Sequence, residues 1–138
     1  MSFGNTTFTL ILPTLNEREG LEVILPLIDR SLFNEVVVVD GGSTDGTPEF
    51  IEQHGLRLLR QPKTGLPDAL RHAFLNTTGD VLVIFTPDGN SLSELLPNLC
   101  AKMQEGYDLV VVSRYLGHAQ SLDDDFLTAF GNRMFTWI

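Results

Sequence analysis

The chain has 138 residues, 43% of them hydrophobic and 20% charged, with 18 acidic against 9 basic side chains and a formal charge of −9. That length is one ordinary domain and that composition a globular core, which excludes a disordered chain. The acidity excludes a basic nucleic-acid groove and a polybasic membrane patch. A single cysteine, Cys100, excludes an intramolecular disulfide and a cysteine zinc site. No apolar run approaches the roughly 20 residues of a spanning helix, and the N-terminus lacks a basic-then-apolar leader pattern. A soluble, cytosol-facing domain is the expectation.

In chain order, Thr7–Leu12 predicts a strand ended by Pro13, and Arg18–Arg30 a helix with Leu21, Ile24, Leu25 and Ile28 at helical spacing. Glu35–Val39 contains four consecutive valines, the composition of a strand buried on both faces of a parallel sheet. Thr47–His54 reads as a helix, with Thr47 as N-cap ahead of Pro48. Leu56–Arg60 and Val81–Phe85 read as strands, and Leu66–Asn76 as a helix. Ser91–Glu105 reads as a helix closed by Gly106, Leu109–Ser113 as a fifth strand, and 125–138 as helical. Strands alternating with helices predict one layered α/β domain, a mainly parallel sheet with helices on both faces. Ligands of such sheets bind beyond the carboxyl ends of the strands.

Four polar clusters fall at those ends. Pro13-Thr14-Leu15-Asn16-Glu17 is either a loop in which Asn16 caps a helix, or a site where Glu17 accepts hydrogen bonds from a ribose or base. Asp40-Gly41-Gly42-Ser43-Thr44-Asp45-Gly46-Thr47 is either a tight turn with capping acids, or a loop whose Asp40 receives a base N–H or a ribose hydroxyl. It lacks the lysine of a phosphate-cradling P-loop and the spacing of a dinucleotide fingerprint. Thr86-Pro87-Asp88-Gly89-Asn90-Ser91 is an Asp-Gly turn before a helix capped by Ser91, or a hard-cation site built on Asp88 and Asn90. Arg114 is either a surface ion-pair partner or a fork for phosphate. His54, His72 and His118 are not grouped as ligands, and Cys100 sits on a helical pattern as an inert buried thiol. Phe130, Met134 and Trp137 recur at helical spacing, which suits core packing or a face toward a lipid.

Taken in order, PTLNE, VVVVDGGSTDGT, GLPDALRHAF, GDVLVIFTPDGNS and VVVSRY resemble family 2 of the nucleotide-sugar glycosyltransferases, and among them the polyprenyl-phosphate sugar synthases. The resemblance runs from Thr9 to about Tyr115 and more weakly through Arg133. It implies an A-type glycosyltransferase fold and inverting transfer of a sugar from a GDP- or UDP-linked donor to a polyprenyl-phosphate or glycan acceptor, assisted by Mg²⁺ or Mn²⁺. It also implies roles residue by residue: Pro13, Leu15, Glu17, Val38, Asp40 and Gly42 for the nucleotide, Asp88 and Asn90 for the metal, and Asp88 and Arg114 for catalysis. Asp124, Asp125 and Arg133 fall on the acceptor side, although the acidic run also suits a solvated helix start. Two positions depart from the family pattern, Thr86 in place of the first metal-loop aspartate and Gly41 in place of a second aspartate after Asp40.

Two other classes stay open: a non-catalytic or weakened nucleotide-sugar binding module, and a sugar-1-phosphate nucleotidyltransferase. The latter wants a basic glycine-rich N-terminal loop where this chain has PTLNEREG. Residues 1–138 are expected to be a donor-binding core cut from a longer cytoplasmic protein, capable of forming a homo-oligomer. Any contact with the cytoplasmic face of a membrane is expected to come from the segment beyond residue 138.

Overall fold

β-branched runs and amphipathic helices assemble as the patterning predicts. The computed structural model describes residues 6–113. Within the unit that ends at Asp108, strands β1 (Phe8–Thr14), β2 (Glu35–Asp40), β3 (Arg57–Arg60) and β4 (Val81–Ile84) form one sheet in the order β3-β2-β1-β4. All three ladders are parallel, with Ile11 opposite both Val37 and Ile84. Helices α1 (Arg18–Ile24), α2 (Thr47–Gln53), α3 (Leu66–Asn76) and α4 (Leu96–Met103) connect and flank the strands.

The strand period of two sorts the core into two layers. Phe8, Leu10, Leu12 and Val38 face Leu21 and Ile24 of α1, Phe50 and Ile51 of α2, and Leu96 and Cys100 of α4. Ile11, Val37 and Val39 face Ala69 and Ala73 of α3, whose small side chains let that helix lie close on the sheet. The central strands are therefore apolar on both faces, as the four valines require.

Several boundaries differ from expectation, each for a local reason. β1 continues through Pro13 to Thr14. The carbonyls of Phe8 and Thr14 accept from Asn34 and Gly41 on the β2 side, and those of Thr7 and Ile11 from Val81 and Phe85 on the β4 side. By that alternation the amide that Pro13 lacks would point toward β4, and the register of β4 with β1 ends there, at Ile84, while pairing with β2 runs on to Thr14. The helix expected over Arg18–Arg30 stops at Ile24, because Pro26 has no N–H to give the α ladder. A 3-10 turn at Leu25–Leu27 follows, then a second at Arg30–Leu32 capped by Asp29. Leu21, Ile24, Leu25 and Ile28 are buried all the same.

α2 has Gly46 at its N-cap with φ +89°, not Thr47, which is already inside the helix. The stretch expected to be helical from Ser91 begins with a 3-10 turn at Ser93–Leu95 and becomes α-helical at Leu96, with Pro97 in its first turn. Gly106 (φ +95°) lies three residues beyond α4, and its N–H bonds to the Met103 carbonyl. Leu109–Ser113, which belongs to a second unit, is not a strand, and Leu109 and Val111 are exposed. A valine-rich run holds strand geometry only when paired, and the sheet among the described residues ends at β4. The helix expected at 125–138 lies outside the described residues.

Candidate active site

Parallel strands end together, so the loops after β1, β2 and β4 converge at one edge of the sheet. The first two are fastened to each other by side chains acting on backbone. Asn16 adopts the left-handed conformation (φ 59°), a region that asparagine tolerates. Its N–H donates to Ser43 Oγ at 2.8 Å, and its Oδ1 accepts from the Thr44 N–H at 2.9 Å. Asn16 therefore does not cap α1. That amide is satisfied from the other loop: Arg18 N–H donates to Asp45 Oδ2 at 3.1 Å. The opposite oxygen of Asp45 accepts from the N–H and the hydroxyl of Thr47, at 3.0 and 2.6 Å. One carboxylate thus takes an orphan donor from each of two helix starts.

Asp45 feels two opposed effects. Partial desolvation pushes its carboxyl up, while the hydrogen bonds from Thr47 and Arg18 together outweigh that and hold it below the ordinary carboxylate range. Asp40, 1% exposed, turns its carboxylate onto its own loop, accepting from the N–H groups of Gly42 and Ser43 at 3.0 and 3.2 Å.

The loop after β4 is organised on Asp88. Its Oδ1 accepts from the Asn90 N–H at 3.0 Å and from Thr86 Oγ1 at 3.2 Å, and the Thr86 hydroxyl lies 3.0 Å from Ser91 Oγ. Ser91 therefore serves this turn and not a helix cap. Asn90 enters through its backbone, while its side chain is exposed. The donors gathered here are all oxygens, two hydroxyls and one carboxylate, the chemistry that suits Mg²⁺ or Mn²⁺. Among the described residues no three His, Cys, Asp or Glu side chains converge to hold a metal by themselves. The set therefore fits an ion completed by substrate phosphates and water.

Asp88 and Glu17 face each other across a cleft of about 810 Å³ whose walls include Asn16, Arg18, Gly20, Asp45 and Pro87. That volume lies within the ordinary range of small-ligand sites. Burial, then the neighbouring charges of Asp88 and Asp45, raise the Glu17 carboxyl above its usual range. Among the described residues, five carboxylates (Glu17, Glu19, Glu22, Asp45 and Asp88) line this cleft against one guanidinium, that of Arg18.

The structure therefore brings together Glu17 and Asp88 of the residues expected from sequence. Asp40 ends β2, Gly42 and Leu15 lie on the adjoining loops, Leu15 being 55% exposed, and Pro13 is half-buried near the end of β1. Val38 is fully buried in the core and presents no surface. Arg114, Asp124, Asp125 and Arg133 lie outside the described residues. Neither Arg18 nor Gly20 stands out in the sequence, and Asp45 reads there as a turn and capping acid, the role it takes at α1 and α2. A glycine inside a helical pattern was the available signal for Gly20.

The comparisons with known proteins agree with this geometry. The profile of "Glycosyl transferase family 2" matches residues 9–131. A dolichol-phosphate mannosyltransferase of Pyrococcus furiosus is 34% identical over 116 residues, 78% of this chain and 33% of that protein. An uncharacterized glycosyltransferase of Mycobacterium tuberculosis is 33% identical over 106 residues, 77% of this chain and 48% of that protein. The chain thus spans a third to a half of the curated relatives it matches. Glucosyl-3-phosphoglycerate synthase of M. tuberculosis, solved with Mn²⁺, UDP and glucosyl-3-phosphoglycerate, superposes with a TM-score of 0.66 at 27% identity, covering 74% of this chain and 41% of that one. A second structure of that enzyme, with Mn²⁺, UDP-glucose and phosphoglyceric acid, gives a TM-score of 0.67 at the same identity and coverage. The parallel sheet with its flanking helices is the A-type glycosyltransferase fold, and the chain belongs to glycosyl transferase family 2.

Proposed function

We propose that the cleft between Glu17 and Asp88 binds a nucleoside-diphosphate sugar through a divalent cation held at Asp88, as the donor side of a metal-assisted, inverting glycosyltransferase. The observation that carries the reading is the all-oxygen turn Thr86–Asp88–Ser91 facing an acidic cleft at the strand ends. Support comes from the structural neighbour solved with Mn²⁺ and UDP-glucose. A bound Mg²⁺ or Mn²⁺ would neutralise the charge that develops on the leaving diphosphate.

The chain's own residues do the rest. Asp88 holds its loop closed through Asn90 and Thr86 and offers the remaining carboxylate oxygen to the ion. Asp40, Gly42 and the clamp between Asn16 and the Ser43–Thr44 backbone shape a rigid floor for base and ribose, with Pro13 and Leu15 at its margin. Val38 supports that floor from beneath. Glu17 accepts a ribose or base hydrogen bond beside the cation. Beyond the described residues, Arg114 is assigned to phosphate, and Asp124, Asp125 and Arg133 to the acceptor side. The acceptor class is a polyprenyl phosphate, a reading supported by the similarity to a dolichol-phosphate mannosyltransferase. Such an acceptor is already an anion, so the site needs no general base. No helix among the described residues is long and apolar enough to cross a membrane.

Thr86 favours a second reading, a binding-only module. Its hydroxyl donates to Asp88 where the family pattern has a further carboxylate. One experiment separates the two readings. Calorimetry of UDP and GDP on the full-length protein should show binding that strengthens with Mn²⁺, and Asp88→Asn should abolish the metal dependence. If the wild type then transfers sugar, Asp88→Asn should lower turnover by roughly 10²–10³. Metal-dependent binding that survives in Asp88→Asn would exclude the assigned site.

A further inference from the structure

The glycines in and beside the strand-end loops are of two kinds. Gly42, Gly46 and Gly89 have φ of 99°, 89° and 80°, so their conformations alone account for them. Gly20 is different. It is the third residue of α1 and half-buried, with ordinary helical backbone. Glycine is among the poorest helix formers, and nothing in the backbone conformation asks for it there. The space around it does. A Cβ built on Gly20 would overlap the Pro87 carbonyl oxygen, stand 3.1 Å from the carbonyl carbon, and reach 3.2 Å from Glu17 Oε2. Backbone of the helix therefore rests directly on backbone of the turn that carries Asp88. Pro87 is buried at this contact.

We propose that Gly20 is a positioning residue for Asp88: by carrying no side chain it lets α1 seat the Pro87 carbonyl, and so fixes how far Asp88 stands from Glu17. The inference rests on the reading of Asp88 as the metal-bearing residue. It adds that the affinity for the ion is set from the first turn of α1 as well as from the turn after β4. A β-carbon at position 20 would push the whole Thr86–Ser91 turn outward, because the atom it meets is rigid backbone and not the end of a flexible side chain.

The test uses the full-length protein, wild type and Gly20→Ala, with Mn²⁺ and UDP as probes. Crystal structures without metal should show the Pro87 carbonyl of the variant displaced from α1 by roughly 1.4 Å, the shift that restores ordinary van der Waals separation. Electron paramagnetic resonance of free Mn²⁺ in the presence of UDP should show the ion bound about tenfold more weakly, in the range typical for outer-shell changes. Affinity for UDP without metal should fall less than affinity for Mn²⁺, because the severe overlap is with the backbone of the metal-bearing turn while Glu17 Oε2, at 3.2 Å, need give only slightly, whereas a general loss of structure would lower both alike. Should Gly20→Ala fold poorly, Pro87→Gly loosens the other side of the same contact and is expected to weaken Mn²⁺ in the same direction. A turn that superposes on the wild type, or wild-type Mn²⁺ affinity in either folded variant, would overturn the proposal. Failure of the wild type itself to take up Mn²⁺ would overturn the metal reading of Asp88, and the position of the turn in Gly20→Ala would still decide whether Gly20 sets it.

Discussion

Replacing Asp45 by alanine is expected to destabilise the fold by about 2–4 kcal/mol. The side chain takes three donors: the Arg18 N–H at 3.1 Å, the Thr47 N–H at 3.0 Å and the Thr47 hydroxyl at 2.6 Å. Losing a helix-start acceptor typically costs about 1 kcal/mol, and here two helix starts lose theirs. Thr47 is fully buried, so its orphaned hydroxyl adds a desolvation cost of roughly 1–3 kcal/mol. Relief of the repulsion between Asp45 and Glu17 offsets part of the sum. Asp45→Asn keeps one oxygen for Thr47 but turns a donor toward Arg18, so about 1 kcal/mol is expected. Urea titrations followed by circular dichroism give both numbers, and an unchanged slope would show that the native fold is the one being measured. The hydrogen bonds hold the native carboxyl below its unfolded value. Their contribution is therefore complete above the unfolded pKa near ~3.9 and is lost as the pH falls through the lower native value. The gap between wild type and Asp45→Asn should close in acid. An alanine variant within about 0.5 kcal/mol of wild type, or an asparagine variant as costly as alanine, would refute the reasoning.

Glu17 carries the opposite sign. Its native carboxyl is raised by burial and by Asp88 and Asp45, so at neutral pH the charge opposes folding, and the penalty grows as pH rises from the unfolded value through the native one. Glu17→Gln should therefore melt higher than wild type at pH 7 and equal to it near pH 4, and thermal scans at the two values check this. Asn16→Ala should cost about 2 kcal/mol, from a non-glycine residue forced to φ 59° and from the lost Thr44 bond. Asn16→Gly loses only the bond and should cost about half as much by the same urea assay. Cys100 is fully buried and burial raises its thiol, so Ellman's reagent should leave it intact in the native protein at pH 8 and react with it once guanidinium unfolds the chain.

The sheet was legible in the sequence because its central strands are short apolar runs, β2 an unbroken run of valines. Val36–Val39 and the Thr9–Leu12 stretch demand apolar surroundings on both faces, and one architecture supplies them. Boundaries were less legible where proline acts through direction. Pro13 costs the strand only its β4 side, since pairing with β2 continues to Thr14, whereas Pro26 ends a helix whose apolar spacing runs on to Ile28. Of the site, the carboxylates of Glu17 and Asp88 could be placed from their positions after strands. The fastening between loops could not, since Asn16 and Asp45 are good capping residues in any local reading and their partners lie 27 or 28 residues away. Gly20 looked like a weak point in a helix, and only the nearness of Pro87 shows what it accommodates.

The charge of the cleft has a kinetic consequence. Among the described residues, five carboxylates stand against one guanidinium, a wall that repels a bare diphosphate and draws in cations. A nucleotide approaching alone climbs a potential that its metal chelate, with the charge largely cancelled, does not meet, so the sign of this wall favours entry as the chelate. Raising the ionic strength, which slows most encounters between a protein and a charged ligand, should here speed the entry of the metal-free nucleotide and slow that of a free divalent cation.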